Sequence, residues 1–108
     1  MTDTIKIPKA FTSELRIVLI SALINGEKTF SELKKISQAT DGNISTQLSK
    51  LEEYGYVKSS KEFENKKPKT TYSLTEKGRD DFENYVMMLA AIIKRSWERF
   101  LRDNQKGN

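Results

Sequence analysis

The period of the sequence changes between Tyr56 and Leu74, and this change constrains the fold more than any other feature of the chain. On either side of it, apolar residues recur in steps of three and four, as in a helix with one buried face. Within it, the runs from Tyr56 to Phe63 and from Thr70 to Leu74 carry β-prone residues in rough alternation, which is the pattern of strands. The polar stretch Glu64 to Lys69 separates the two runs, so 56–74 reads as one β-hairpin between helices. The class is mainly α with a small β-hairpin (α+β).

The helical segments have legible ends. In the first, 8–25, the residues Phe11, Leu15, Val18, Leu19, Ala22 and Leu23 form a stripe that Ile17, Ile20 and Ile24 widen, and Asn25 with Gly26 stops it. The second, 29–38, opens on Thr29, Phe30, Ser31, Glu32, the form of a capping box, and buries Phe30, Leu33 and Ile36. The third, 41–54, has Thr40 or Asp41 as N-cap, buries Ile44, Leu48 and Leu51, and ends at Gly55. The last, 75–103, is capped by Thr75. Glu76, Asp80 and Asp81 stand in its first turns, where the helix dipole favours acids. Its apolar positions run from Phe82 through Tyr85, Val86, Leu89, Ile92, Ile93, Trp97 and Phe100 to Leu101, over roughly 40 Å of helix. Residues 103–108 read as a frayed tail. A chain of 108 residues holds one domain with a single modest core, so 1–108 is one unit. Helix, short helix, helix, hairpin, long helix is the outline of a winged helix-turn-helix with a long C-terminal dimerisation helix.

Composition narrows the function. There is no Cys and no His, so cysteine nucleophiles, thiolate or imidazole metal sites and Ser–His hydrolases are excluded. Neither a Gly-rich phosphate loop nor a paired-carboxylate site is readable, so the chain is expected not to be an enzyme and to need no cofactor or metal. The net charge of +4 suits a polyanionic partner but is spread evenly along the chain. The sequence has neither an 18-residue apolar run nor the core of a signal peptide, and a cytoplasmic protein without a membrane role is expected.

In a helix-turn-helix the outer face of the third helix enters the DNA major groove. At 100° per residue, the face opposite Ile44, Leu48 and Leu51 holds Gly42, Asn43, Thr46, Ser49, Lys50 and Glu53, with Ser45 and Gln47 flanking. Asn and Gln can pair with adenine, Ser and Thr with bases or phosphate, and Lys with guanine or phosphate. The DNA-reading set is therefore Gly42, Asn43, Ser45, Thr46, Gln47 and Lys50. At the hairpin tip, Lys66, Lys67 and Lys69 flank Pro68 and suit the sugar–phosphate backbone or minor groove, although Glu62 and Glu64 lower the local field. The last helix has more apolar surface than a small core can cover. Leu89, Ile92, Ile93, Trp97, Phe100 and Leu101 are expected to pack against a second copy, matching two half-sites about 34 Å apart. An effector cavity between the terminal helices and the core, lined by Phe11, Tyr85, Met88 and Trp97, is a further expectation.

These residues resemble a known family. Phe30 to Lys34, Thr40 to Val57, Lys61 to Phe63, Lys67 to Thr75 and Gly78 with Arg79 are similar to the small winged-helix transcriptional regulators of bacteria and archaea related to the MarR and ArsR groups, the single-domain "winged helix DNA-binding domain" regulators. The resemblance implies a dimeric, sequence-specific regulator bound to double-stranded DNA; the element order, the polar third helix and the lysine wing lead to the expectation of a repressor. It also implies that Asn43, Ser45, Thr46, Gln47 and Lys50 lie on the recognition helix and Lys66, Lys67 and Lys69 on the wing. The metal-sensing residues of the ArsR type are absent, so metal sensing does not carry over. The alternative is a winged helix used for protein–protein interaction without DNA, which an acidic or apolar third-helix face would indicate.

Overall fold

The computed structural model describes residues 7–105; residues 1–6 and 106–108, which include half of the expected tail, lie outside it. The structure has four helices, α1 (Glu14–Ile24), α2 (Phe30–Ser37), α3 (Asp41–Glu53) and α4 (Glu76–Gln105), and three strands, β1 (Lys28–Thr29), β2 (Val57–Glu64) and β3 (Lys67–Leu74). The antiparallel sheet has the order β1-β3-β2, pairing Lys28 with Tyr72 at one edge and Val57 with Leu74 at the other. This is the α+β winged helix-turn-helix expected from the order of elements.

α1 begins at Glu14 and not at residue 8. Residues Lys9–Phe11 form a separate 3-10 turn, closed by Phe11 N donating to Pro8 O at 2.9 Å, and Ser13 then caps the helix by accepting from Arg16 N. The break lets Phe11 turn inward at an angle that a continuous helix would not permit. Its ring stacks on Tyr85 with centroids 4.8 Å apart and also meets Tyr56 and Phe82. The capping box of α2 is formed, with Glu32 N donating to Thr29 Oγ1 and Thr29 N to the Glu32 carboxylate. These bonds hold the Glu32 carboxyl below its ordinary pKa, the backbone amide of Thr29 contributing most. Only Leu33 of α2 is fully buried. Ile36, expected in the core, is half exposed because the eight-residue helix turns it off the packed face.

The core consists of Ala10 and Phe11 from the 3-10 turn, Leu19, Ile20 and Leu23 from α1, Leu33 from α2, and Ile44, Leu48 and Leu51 from α3, closed at the sheet end by Tyr56 and Val57. α4 starts on the residues that end α3. Tyr56 N donates back to Leu51 O, and Tyr56 O accepts from Thr75 N, both at 2.9 Å. The Thr75 hydroxyl donates to Gly55 O and accepts from Gly78 N. A Cβ at Gly78 would fall inside van der Waals contact of the Tyr56 carbonyl, so this approach of helix to strand requires glycine.

The Tyr56 hydroxyl donates to Asp81 Oδ2 at 2.6 Å, and burial, aided by Asp81, pushes the phenol well above its ordinary pKa. A raised pKa in the fold means that this contribution is complete below the unfolded value of about 10 and is lost as pH rises past it. Thermal melts are therefore expected to drop above about pH 10. Tyr56→Phe should flatten that decline while lowering stability at neutral pH by about 1–2 kcal/mol; an alkaline limb unchanged in the variant would refute the assignment.

The radius of gyration is 18.3 Å, against about 13 Å for a compact chain of this length. α4 accounts for the excess. Its 30 residues reach about 45 Å, and from Leu89 onward the helix leaves the core.

Candidate nucleic-acid interface

α2 ends on Gln38 in the left-handed conformation, with φ of 56°, and this sharp stop turns the chain directly into α3. Thr40 caps α3 by accepting from Asn43 N, and Lys34 of α2 pairs with Asp41 at 2.7 Å, fastening the two helices at the turn. The amides of the first turn that the cap does not engage point out of the helix end, where an anion such as phosphate is favoured.

α3 buries Ile44, Leu48 and Leu51 and exposes Gly42, Asn43, Ser45, Thr46, Ser49 and Lys50. Five of the six residues expected to read DNA therefore share one open face. The Thr46 hydroxyl donates to Gly42 O at 2.9 Å, which leaves its oxygen an acceptor toward solvent. Gln47 differs, being half-buried. Its Oε1 accepts from Arg16 Nη1 at 2.6 Å, and its Nε2 donates to Asn43 Oδ1 at 3.4 Å.

Arg16 is absent from the sequence-derived set, although it is 8% exposed and the charged residue most deeply placed among those described. It had a signal: it is the one charged residue between Leu15 and Ile24, on an otherwise apolar helix. Such a cation is kept only where its donors are satisfied. Nε donates to Ala10 O, and Nη2 donates to Lys9 O and to the Thr12 hydroxyl.

The hairpin differs from the polar loop expected over 64–69. β2 and β3 are joined by a two-residue turn, Asn65 and Lys66, at φ of 53° and 65°. Positive φ at both positions is the requirement of a type I′ hairpin turn, whose twist matches that of the strands. Lys66 occupies the place usually given to glycine, at a cost of about 1 kcal/mol. Lys67, Pro68 and Lys69 belong to β3. Lys69 stands opposite Glu62 and pairs with Glu64 at 3.0 Å, which raises its ammonium pKa and offsets its charge. Lys66 at the apex and the exposed Lys67 carry the tip's cationic character.

Phe63 was also missed. It lies opposite Pro68 on the face that continues outward from Val57, and it is 79% exposed. The alternation of the strand places it there, but only the length of the hairpin beyond the core leaves it uncovered.

At the other end of the molecule, Leu89, Ile92, Ile93, Trp97, Phe100 and Leu101 are all exposed along α4, with Trp97 stacked on Phe100 at 5.3 Å. The expected effector cavity is not formed by its four residues. Phe11 and Tyr85 are stacked on each other within the core, and Trp97 lies three turns beyond Tyr85 on α4. Among the described residues no acidic cluster could hold a metal ion, and no helix is long and apolar enough to cross a membrane.

Residues 15–93 match the family model described as "Winged helix DNA-binding domain". An uncharacterised protein of Methanocaldococcus jannaschii is 36% identical over 87 residues, covering 80% of this chain and 95% of that one. Two solved structures share the fold. A transcriptional regulator homologue from Pyrococcus horikoshii superposes with a TM-score of 0.74 at 24% identity, covering 81% of this chain and 87% of its own. A protein from Enterococcus faecalis described as a MarR-family transcriptional regulator gives a TM-score of 0.74 at 19% identity, covering 83% and 82%.

Proposed function

The chain belongs to the winged helix DNA-binding domain family, and on that premise we propose that it is a sequence-specific, dimeric transcriptional repressor. The observation that carries this reading is the division of α3 into a fully buried apolar side and an open side of short polar groups. Asn43, Ser45, Thr46 and Lys50 act from that side on base edges in the major groove, with the half-buried Gln47 at its margin, and Gly42 brings the helix end close to phosphate. Lys66, Lys67 and Lys69 add backbone contacts from the wing. The left-handed Lys66 supports this, since a strained lysine at a turn apex is retained where its charge has a use. The exposed stripe of α4 joins two copies. Repression asks least of such a chain, because occupancy of a promoter is enough to block it.

Fluorescence anisotropy on duplexes from the upstream region of its own gene should show binding that weakens with salt, by about 0.9 log units per neutralised phosphate. Lys66→Ala with Lys67→Ala should weaken every duplex alike and lower the salt slope by about two per protomer. Absence of binding at low salt to that region and to mixed duplexes alike sinks the reading. A wing variant with altered base preference overturns the division of roles. Exposed Phe63 beside Pro68 favours the second reading, a protein-interaction module, which a stoichiometric protein partner in the absence of DNA affinity would support.

A further inference from the structure

Arg16 and Gln47 are 31 residues apart, yet they share the shortest side-chain bond to the recognition helix, at 2.6 Å. The direction of that bond is chemically compelled. A guanidinium has donors and no acceptor, so the end of the Gln47 amide that faces Arg16 must be its oxygen. The nitrogen of the same amide then faces Asn43, one turn earlier on α3, at 3.4 Å. A nitrogen that only donates must in turn meet the Asn43 oxygen. The Asn43 Nδ2 is left to the exposed side of the helix.

We propose that Arg16, acting through Gln47, fixes the hydrogen-bond polarity of Asn43, so that α3 offers DNA a donor at this position. An asparagine free to present both amide atoms pairs bidentately with adenine N7 and N6. One whose oxygen is turned toward Gln47 along the helix leads with its NH2 group. That favours a base edge of acceptors, guanine O6 and N7 or thymine O4, over the adenine pairing, which needs both amide atoms aligned on one base edge. Arg16 and Gln47 are on this account positioning residues: the first, buried and anchored on Lys9 and Ala10, touches no base, and the second passes on its orientation. The inference rests on the DNA-reading role proposed above and specifies which chemistry that role selects.

Duplex selection from a random pool tests it, using the wild-type chain, Asn43→Ala and Gln47→Glu. Asn43→Ala identifies the base pair concerned, as the position where preference disappears. There the wild type should favour guanine or thymine over adenine by about tenfold. Glutamate at 47 keeps an oxygen for Arg16 but turns a second one toward Asn43. It should draw the asparagine NH2 inward and expose the oxygen, moving the preference to the amino groups of cytosine or adenine. A wild type that selects adenine there, or a Gln47→Glu variant with the wild-type profile, overturns the relay while leaving DNA binding intact. A wild type that enriches no duplex overturns both readings. Without DNA, Arg16→Lys should shift the side-chain amide NMR signals of Gln47 and Asn43, and unmoved signals would also overturn the relay.

Discussion

If two copies pair through α4 as proposed, replacing Trp97 with glutamate is expected to yield a monomer and to cut affinity for a two-half-site duplex by about 10²–10⁴-fold. Trp97 lies in the middle of the exposed apolar stripe and is itself 58% exposed. In the isolated chain a glutamate there stays in water, so the monomer's own stability should change by no more than about 0.5 kcal/mol. In a dimer the same carboxylate enters an apolar interface without a partner, at a cost of several kcal/mol. Each monomer then binds its half-site alone, and the second contact is no longer intramolecular. Light scattering and anisotropy on the same samples check this, with circular dichroism showing an intact fold. A wild-type chain that is monomeric at micromolar concentration, or a variant that remains dimeric, would refute the α4 interface.

The second large effect is on folding. Phe11→Ala should destabilise the chain by about 3–5 kcal/mol, a large share of the roughly 5–15 kcal/mol that a domain of this size commonly has. Phe11 is 3% exposed and its ring meets Tyr56 at the start of β2 and both Phe82 and Tyr85 of α4. It therefore fastens α4 to the rest, and its removal leaves a void among these three rings, of which Tyr56 is held in place by its bond to Asp81. Urea unfolding in the Trp97→Glu background keeps subunit concentration out of the measurement. Phe11→Leu, which retains most of the volume, should cost much less, and equal midpoints for the two variants would contradict this packing.

Much of the architecture was legible because the relevant signals are local. Thr29 and Glu32 announce α2, Ile44, Leu48 and Leu51 mark the inner side of α3, and the change of period marks the hairpin. What escaped is what depends on distant or crowded partners. Phe11 continues the helical spacing of Leu15 and Leu19, so periodicity joins it to α1; the Ser13 cap, which ends that continuity, is a weaker pattern. Lys28 and Thr29 form a strand only because β3 lies beside them, and two residues have no period. The turn at Asn65 and Lys66 lacks the glycine that would have marked it as a two-residue hairpin turn. In the interface, the outward positions of α3 follow from geometry about a single axis. The engagement of Gln47 does not, because its partner Arg16 is brought to it by tertiary packing.

Tyr56 is bonded backward to α3 through its N–H and forward to the head of α4 through its carbonyl, so these two helices meet at one residue. In a pair of chains joined through the far half of α4, each α3 then rides at the tip of an arm about 20 Å long, the run from Leu89 back to Glu76. A rocking of about 10° at the joint moves the tip by about 3.5 Å, close to the 3.4 Å rise of one base pair. For the proposed dimer, the tolerance for half-site spacing is thus expected to be an angular property of the surface from Leu89 to Leu101. A substitution there that merely tilts the pair is expected to change which spacing is bound, without altering any side chain that faces a base.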